Sequence, residues 1–235
     1  MAADSTSTQT NADRNWFIVQ RWQAYEAESR ANLLRIIAIG AFYLIHLWSY
    51  FSAQGRLPNF GILQIAGAGE VNRQFHVLVT LLAVAWAMLA LGILLALQQR
   101  IFPRWLPYFS TGCDIVFLTS IICLGSVARS PLIAGYFLIL VLATLRLSLP
   151  LISFTTTACG LAYLCVLGCA KWPENLGLSQ VVGQTTADLR VPRYHQLIML
   201  VAIVMAGVML GQIVRRVRRL AQEFAERSQS TAVDA

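Results

Sequence analysis

Long apolar runs separated by short polar breaks dominate this chain, and the pattern predicts helices that cross a lipid bilayer. A spanning helix needs about 20 mostly apolar residues to traverse about 30 Å of hydrocarbon. Six stretches meet that requirement: Leu33–Ala53, His76–Gln98, Pro107–Ser126, Pro131–Leu149, Leu151–Ala170 and His195–Val214. Only Pro150 divides the fourth from the fifth. Proline there disfavours a continuous helix and restricts Leu149 before it, which predicts a tight hairpin through Arg146–Pro150. The expected fold is all-α: a six-span transmembrane helical bundle over residues 32–214. Before it, residues 13–31 interleave Trp16, Phe17, Trp22 and Tyr25 with Arg14, Arg21, Glu26 and Glu28. That suits an N-terminal amphipathic helix lying in the membrane interface. After the bundle a short, basic cytoplasmic exit helix is expected at 215–228. The polar ends, 1–12 and 229–235, read as disordered tails.

Composition agrees with this pattern. Hydrophobic residues make up 57% of the 235 and charged residues 12%, against about 45–50% and about 25% in soluble domains. So little charge could not cover a soluble core. A disulfide-stapled secreted domain, a disordered chain and a nucleic-acid-binding protein are excluded on the same grounds. The net charge of +7 is then a topology signal. No signal peptide is visible in the polar first fifteen residues, so the N-terminus is expected in the cytoplasm. Six spans return the C-terminus to the same side. Arg14, Arg21, Arg30, Arg35, Arg100, Arg104, Arg146, Arg215, Arg216, Arg218, Arg219 and Arg227 then fall inside. Arg56, Arg73, Arg129, Lys171, Arg190 and Arg193 fall outside. That bias favours both termini in the cytoplasm. The outer loops, 54–75 and 171–194, are too short for independent domains, and no internal repeat supports an inverted-repeat transporter.

Charge inside a span costs about 2.5–3.5 kcal/mol at a helix centre on insertion scales, so each such residue needs a reason. Asp114 lies about two turns into the third span and Arg146 near the inner end of the fourth. The two helices run antiparallel and bring both side chains to similar depth. An Asp114–Arg146 pair is therefore expected, with Arg35 of the first span able to join it. Alternatively both arginines snorkel to the headgroups. The three histidines, His46, His76 and His195, all map to the outer boundary. Imidazole ligates metals and haem iron and titrates near neutrality, so an outer-face ligand or pH-sensing site is one reading, with the metal unspecified. The other reading is an aromatic belt with Tyr43, Trp48, Tyr50, Trp172 and Tyr194. No cofactor is called for. Of the five cysteines, Cys123 on the third span and Cys169 on the fifth both lie near the outer end, where pairing is conceivable; Cys113, Cys159 and Cys165 read as small buried residues. There is no H-E-x-x-H, G-x-S-x-G, P-loop or intramembrane aspartate pair, so an enzyme is not expected.

The exit helix carries Arg215, Arg216, Arg218 and Arg219 beside Ile213, Val217, Leu220 and Phe224, spaced four, three and four. That is a heptad seam of under two repeats, equally readable as an interfacial helix whose arginines grip anionic headgroups. At this point the chain resembles a known group. Trp105–Thr111 with Asp114, Arg129–Leu138 with Ala143–Pro150, Gly160–Leu164, and Val191–Leu197 leading into the arginine-rich helix are similar to the six-span N-terminal input regions of bacterial sensor histidine kinases and nucleotide cyclases. They also resemble stand-alone bacterial membrane proteins of similar length. The resemblance covers roughly residues 74–228. It implies a bacterial inner (cytoplasmic) membrane and a sensing or regulatory role in signal transduction. No phosphoacceptor histidine segment, Gly-rich ATP site or cyclase sequence follows the exit helix, so catalytic output is expected from a partner. The expected partners are the bilayer, its anionic headgroups, and either a second copy or a membrane or cytoplasmic protein. An accessory structural subunit of a respiratory or photosynthetic complex is the alternative expectation, and a small transporter or channel the third.

Overall fold

A computed structural model describes residues 3–56, 58, 73–99, 103–125, 130–171 and 192–233. Side chains are described within these ranges except at 3–21, 23–24, 53 and 224–233. Every regular element among the described residues is helical: α1 (Ala3–Ala53), α2 (Arg73–Gln98), α3 (Leu106–Leu124), a 3-10 turn (Pro131–Ala134) running into α4 (Gly135–Thr144), α5 (Leu149–Lys171) and α6 (Arg193–Val233). Five segments are long and apolar enough to cross a membrane: Tyr25–Ser52, Arg73–Gln98, Leu106–Leu124, Leu149–Lys171 and Arg193–Glu223. Many of their large apolar side chains face outward, Leu44, Leu81, Met88, Val116 and Leu161 among them. In water such a surface would be untenable, whereas lipid tails solvate it.

The fourth expected span is shorter than the hydropathy pattern predicts. Pro131–Thr144 is an apolar helix in the 10–17-residue class, about 23 Å long at about 2.0 and 1.5 Å rise per residue. It ends where the chain turns over Leu145–Leu147, and Leu147 adopts φ 49°. A leucine in the left-handed region is uncommon and costly, so the turn is set by its surroundings rather than by local preference. Pro150 then sits in the first turn of α5, where its missing N–H costs nothing. The hairpin thus comes about two residues earlier than the proline suggests.

α1 also differs from expectation. It is one unbroken helix across the 12/13 and 31/32 boundaries that composition suggests, because no proline or glycine stands at either of them. α6 likewise continues through 229–233. The side chains of 13–21 and of Phe224, and Trp172 with most of the two outer loops, lie outside the described residues.

α4 is the central element, packed by α3, α5 and α6 and touched by α1, while α2 packs on α1 and α3. Its Tyr136, Ile139 and Leu140 join Leu118 and Ile122 of α3, Tyr163 of α5 and Ile203 of α6 in the main core. A short helix enclosed on several sides needs no lipid-matched length. Two glycines mark the closest approaches. A Cβ on Gly135 would lie 2.9 Å from Cδ2 of Leu118, and one on Gly207 of α6 would overlap Thr156 of α5. Small residues at such crossings let backbones approach where apolar burial supplies no driving force.

Candidate functional site: a buried charge network and a histidine pair

Four charged side chains meet inside one end of the bundle. Glu28 is 0% exposed, Arg35 2% and Asp114 3%, and the guanidinium-bearing side chain of Arg146 is almost as enclosed. Two carboxylates face two guanidiniums, so the cluster is neutral. Burying an unpaired charge costs several kcal/mol, and here each charge has an opposite within contact.

The sequence expectation of an Asp114–Arg146 pair is corrected by this geometry. Asp114 pairs with Arg35, whose Nε lies 2.8 Å from Oδ1 and donates to Oδ2 at 2.9 Å. Trp86 of α2 donates its Nε1 to the same carboxylate at 2.8 Å. Arg146 turns instead to Glu28: Nη2 donates to Oε1 at 2.8 Å, and Nε sits 2.6 Å from Oε2. The Nε and Oε2 atoms meet in distance only, without a directed hydrogen bond. Asp114 and Arg146 do lie at the same end of the bundle, but depth says nothing about lateral position. α1 lies between them in chemistry, supplying an acid to one and a base to the other.

Neutral groups complete the network. Arg35 donates from Nη1 to Asn32 Oδ1 at 2.7 Å, and Asn32 donates from Nδ2 to the Ala90 carbonyl of α2 at 3.0 Å. Arg146 donates from Nη1 to Thr111 Oγ1 at 2.5 Å and to the Pro107 carbonyl at 3.1 Å. Its Nη2 also reaches Ser110 Oγ at 3.0 Å. The Pro107 carbonyl is an acceptor near the start of α3, and the arginine fork closes it. Leu147, the strained residue, directly follows Arg146 in the turn that carries the guanidinium to this site. The network joins α1, α2, α3 and the α4–α5 turn.

Glu28, Asn32, Trp86, Ser110 and Thr111 are members that sequence reasoning misses. A signal is present: Glu28, Asn32 and Arg35 are spaced four and three, while Ser110 and Thr111 stand four and three residues before Asp114. The first set falls on one helix face, and in the second each residue is an i, i+3 or i, i+4 neighbour of Asp114. The alternation of aromatics and charges around Glu28 points to an interfacial surface instead, and so conceals it.

At the other end, His46 Nε2 and His76 Nδ1 lie 3.1 Å apart. His76 stacks on Tyr50 with ring centroids 3.8 Å apart and 9° between planes, and Phe75 meets His46 edge-on. His195 is not part of this group: it contacts Tyr194 and lines a separate groove with Tyr163 and Met199. No three histidine, cysteine, aspartate or glutamate side chains among the described residues are grouped to hold a metal ion. His46 of this pair lines a narrow apolar cleft between α1, α2 and α3, together with Ile39, Phe42, Tyr43, Val79 and Trp86 among others. Trp86 therefore has two roles, since its ring walls the cleft and its Nε1 holds Asp114. On α6, Val214 is buried and the residues after it turn outward, with Arg215, Arg216, Arg218 and Arg219 exposed beside Ile213, Val217 and Leu220. No known family model, curated protein or solved structure matches the chain.

Proposed function

We propose that the chain is a six-span, sensor-like regulatory module of a bacterial inner membrane, with both termini in the cytoplasm. It takes a cue from the membrane or periplasm and passes it to a partner, or to a second copy, through the exit segment of α6. The supporting observation is the neutral network Glu28–Arg146 and Arg35–Asp114–Trp86. Buried ion pairs are weak stabilisers, because well-packed apolar residues of similar volume do as well or better. Four charges held together inside an apolar bundle are better explained by registry between two arrangements than by stability. The cleft supplies an input, since anything that enters it presses on the Trp86 ring and hence on the Asp114 hydrogen bond. α6 supplies an output, because it packs on α4 and α5, the helices joined by the Arg146 turn.

The test is amide hydrogen exchange in lipid nanodiscs, comparing the wild type with Asp114→Asn and with the milder Trp86→Phe. Both variants should change exchange over residues 215–223 by about fivefold or more, about 1 kcal/mol in opening energy. Unchanged exchange there in both variants refutes the coupling. Stoichiometric co-migration with one large assembly in mild detergent would instead favour an accessory structural subunit.

A further inference from the structure

We propose that Cys123 and Cys169 form a redox modification site, closing to a cystine that ties α3 to α5 at the histidine end of the bundle. Cys123 is the penultimate residue of α3 and Cys169 lies in the last turn of α5. Their sulfurs are 3.3 Å apart, both thiols are free, and both flank the main core. A disulfide needs about 2.05 Å, so the sulfurs must close by roughly 1.2 Å. Final helical turns fray and adjust more readily than helix centres, and α3 and α5 already pack directly. Two different helices are joined, so the bond constrains their relative position. Cys165, one turn before Cys169 on the same helix, could not do this by pairing with it.

The chemistry is a thiol–disulfide exchange with an external disulfide, protein or small molecule, as oxidant. One thiol loses its proton and attacks the external disulfide, forming a mixed disulfide and releasing one thiolate. The second thiol, likewise deprotonated, attacks the mixed disulfide and releases the other thiolate. The chain gives up two electrons and two protons, one S–S bond forms, and the oxidant leaves as two thiols. Both cysteines lie in the final turns of their helices and both are half-buried rather than sealed in the core. The site stands independently of the sensor reading, since it needs only the two thiols and their positions.

The experiment uses the full chain in nanodiscs, treated with excess oxidised glutathione, then denatured and alkylated for intact mass. The reduced chain takes five alkyl groups, one per cysteine. The oxidised chain should take three, with no glutathione mass added, and peptide mapping should link Cys123 to Cys169. Dithiothreitol should restore five. Cys165→Ser should still lose two alkylation sites on oxidation, whereas Cys123→Ser and Cys169→Ser should lose none to an intramolecular bond. Retention of five sites in the oxidised wild type overturns the proposal. So does a link that maps to Cys165, or a bond between two chains.

Discussion

Replacing Asp114 by asparagine isolates the electrostatics of the buried network with almost no change in shape. The amide oxygen can still accept from Trp86 Nε1, which lies 2.8 Å from Oδ1 in the wild type, and Asn32 still accepts from Arg35. What disappears is the negative charge opposite a guanidinium that is 2% exposed. The Glu28–Arg146 pair is left as it is, so the cluster passes from neutral to one net positive charge. Removing one partner of a buried pair costs about 3–5 kcal/mol, because the remaining charge is stranded. The substituted amide offers a neutral acceptor, which places the expected loss near the lower figure. Removing both charges, as Arg35→Met with Asp114→Leu, strands no charge, although Trp86 Nε1 loses its acceptor and Asn32 Oδ1 its donor. It should recover part of that loss, since apolar replacement of a whole buried pair is often neutral or stabilising. The assay is unfolding in bicelles or mixed micelles by increasing dodecyl sulfate, followed by helical circular dichroism. A single variant within about 1 kcal/mol of the wild type would refute the reasoning. So would a double variant no better than the single.

Three further outcomes follow from the same geometry. Arg146→Lys keeps the charge but replaces a fork with a point donor, and should lose about 1–3 kcal/mol in the same unfolding assay because Pro107, Ser110, Thr111 and Glu28 cannot all be reached. Leu147→Gly should change stability by less than about 1 kcal/mol, relieving strain while adding chain entropy. Leu147→Val should destabilise measurably at the same left-handed φ. Gly207→Ala should cost about 1–3 kcal/mol through overlap with Thr156, and Thr156→Ala should return part of it when the two are combined.

Periodicity and hydropathy locate the membrane helices well because the lipid-facing demand acts on every residue of a span. Five appear as long apolar helices close to their sequence positions. α4 misleads in length, since hydropathy cannot distinguish a helix packed by protein on several sides from one surrounded by lipid. Asp114, Arg35 and Arg146 are legible as charges because each interrupts or borders an apolar run. Their partners are not, because partner choice depends on which helices lie side by side. Glu28 is hidden for a different reason. It precedes the apolar run, and only the continuity of α1 carries it into the bundle. His46 and His76 meet because α1 and α2 pack on each other, while His195 belongs to α6, which packs on α4 and α5. A shared boundary depth gives the three histidines one address without making them neighbours.

The sequence separation of the ion pairs has a consequence for how the protein is made. Arg35 waits for a partner 79 residues downstream, and Glu28 for one 118 residues downstream. At synthesis rates of about 5–20 residues per second, the second wait lasts roughly 6–24 s. Until Asp114 is made the first helix carries an acid and a base without their partners, and from Asp114 to Arg146 the acid alone still waits; lipid is a poor host for either. α1 is therefore expected to stay at the insertion machinery, or toward the headgroups, until the ribosome has delivered the α4–α5 turn. Nascent chains stalled before Arg146 should consequently be extracted by alkaline carbonate far more readily than chains stalled after α5. That outcome would make the final seating of the first helix a late event in biogenesis, timed by the second half of the chain.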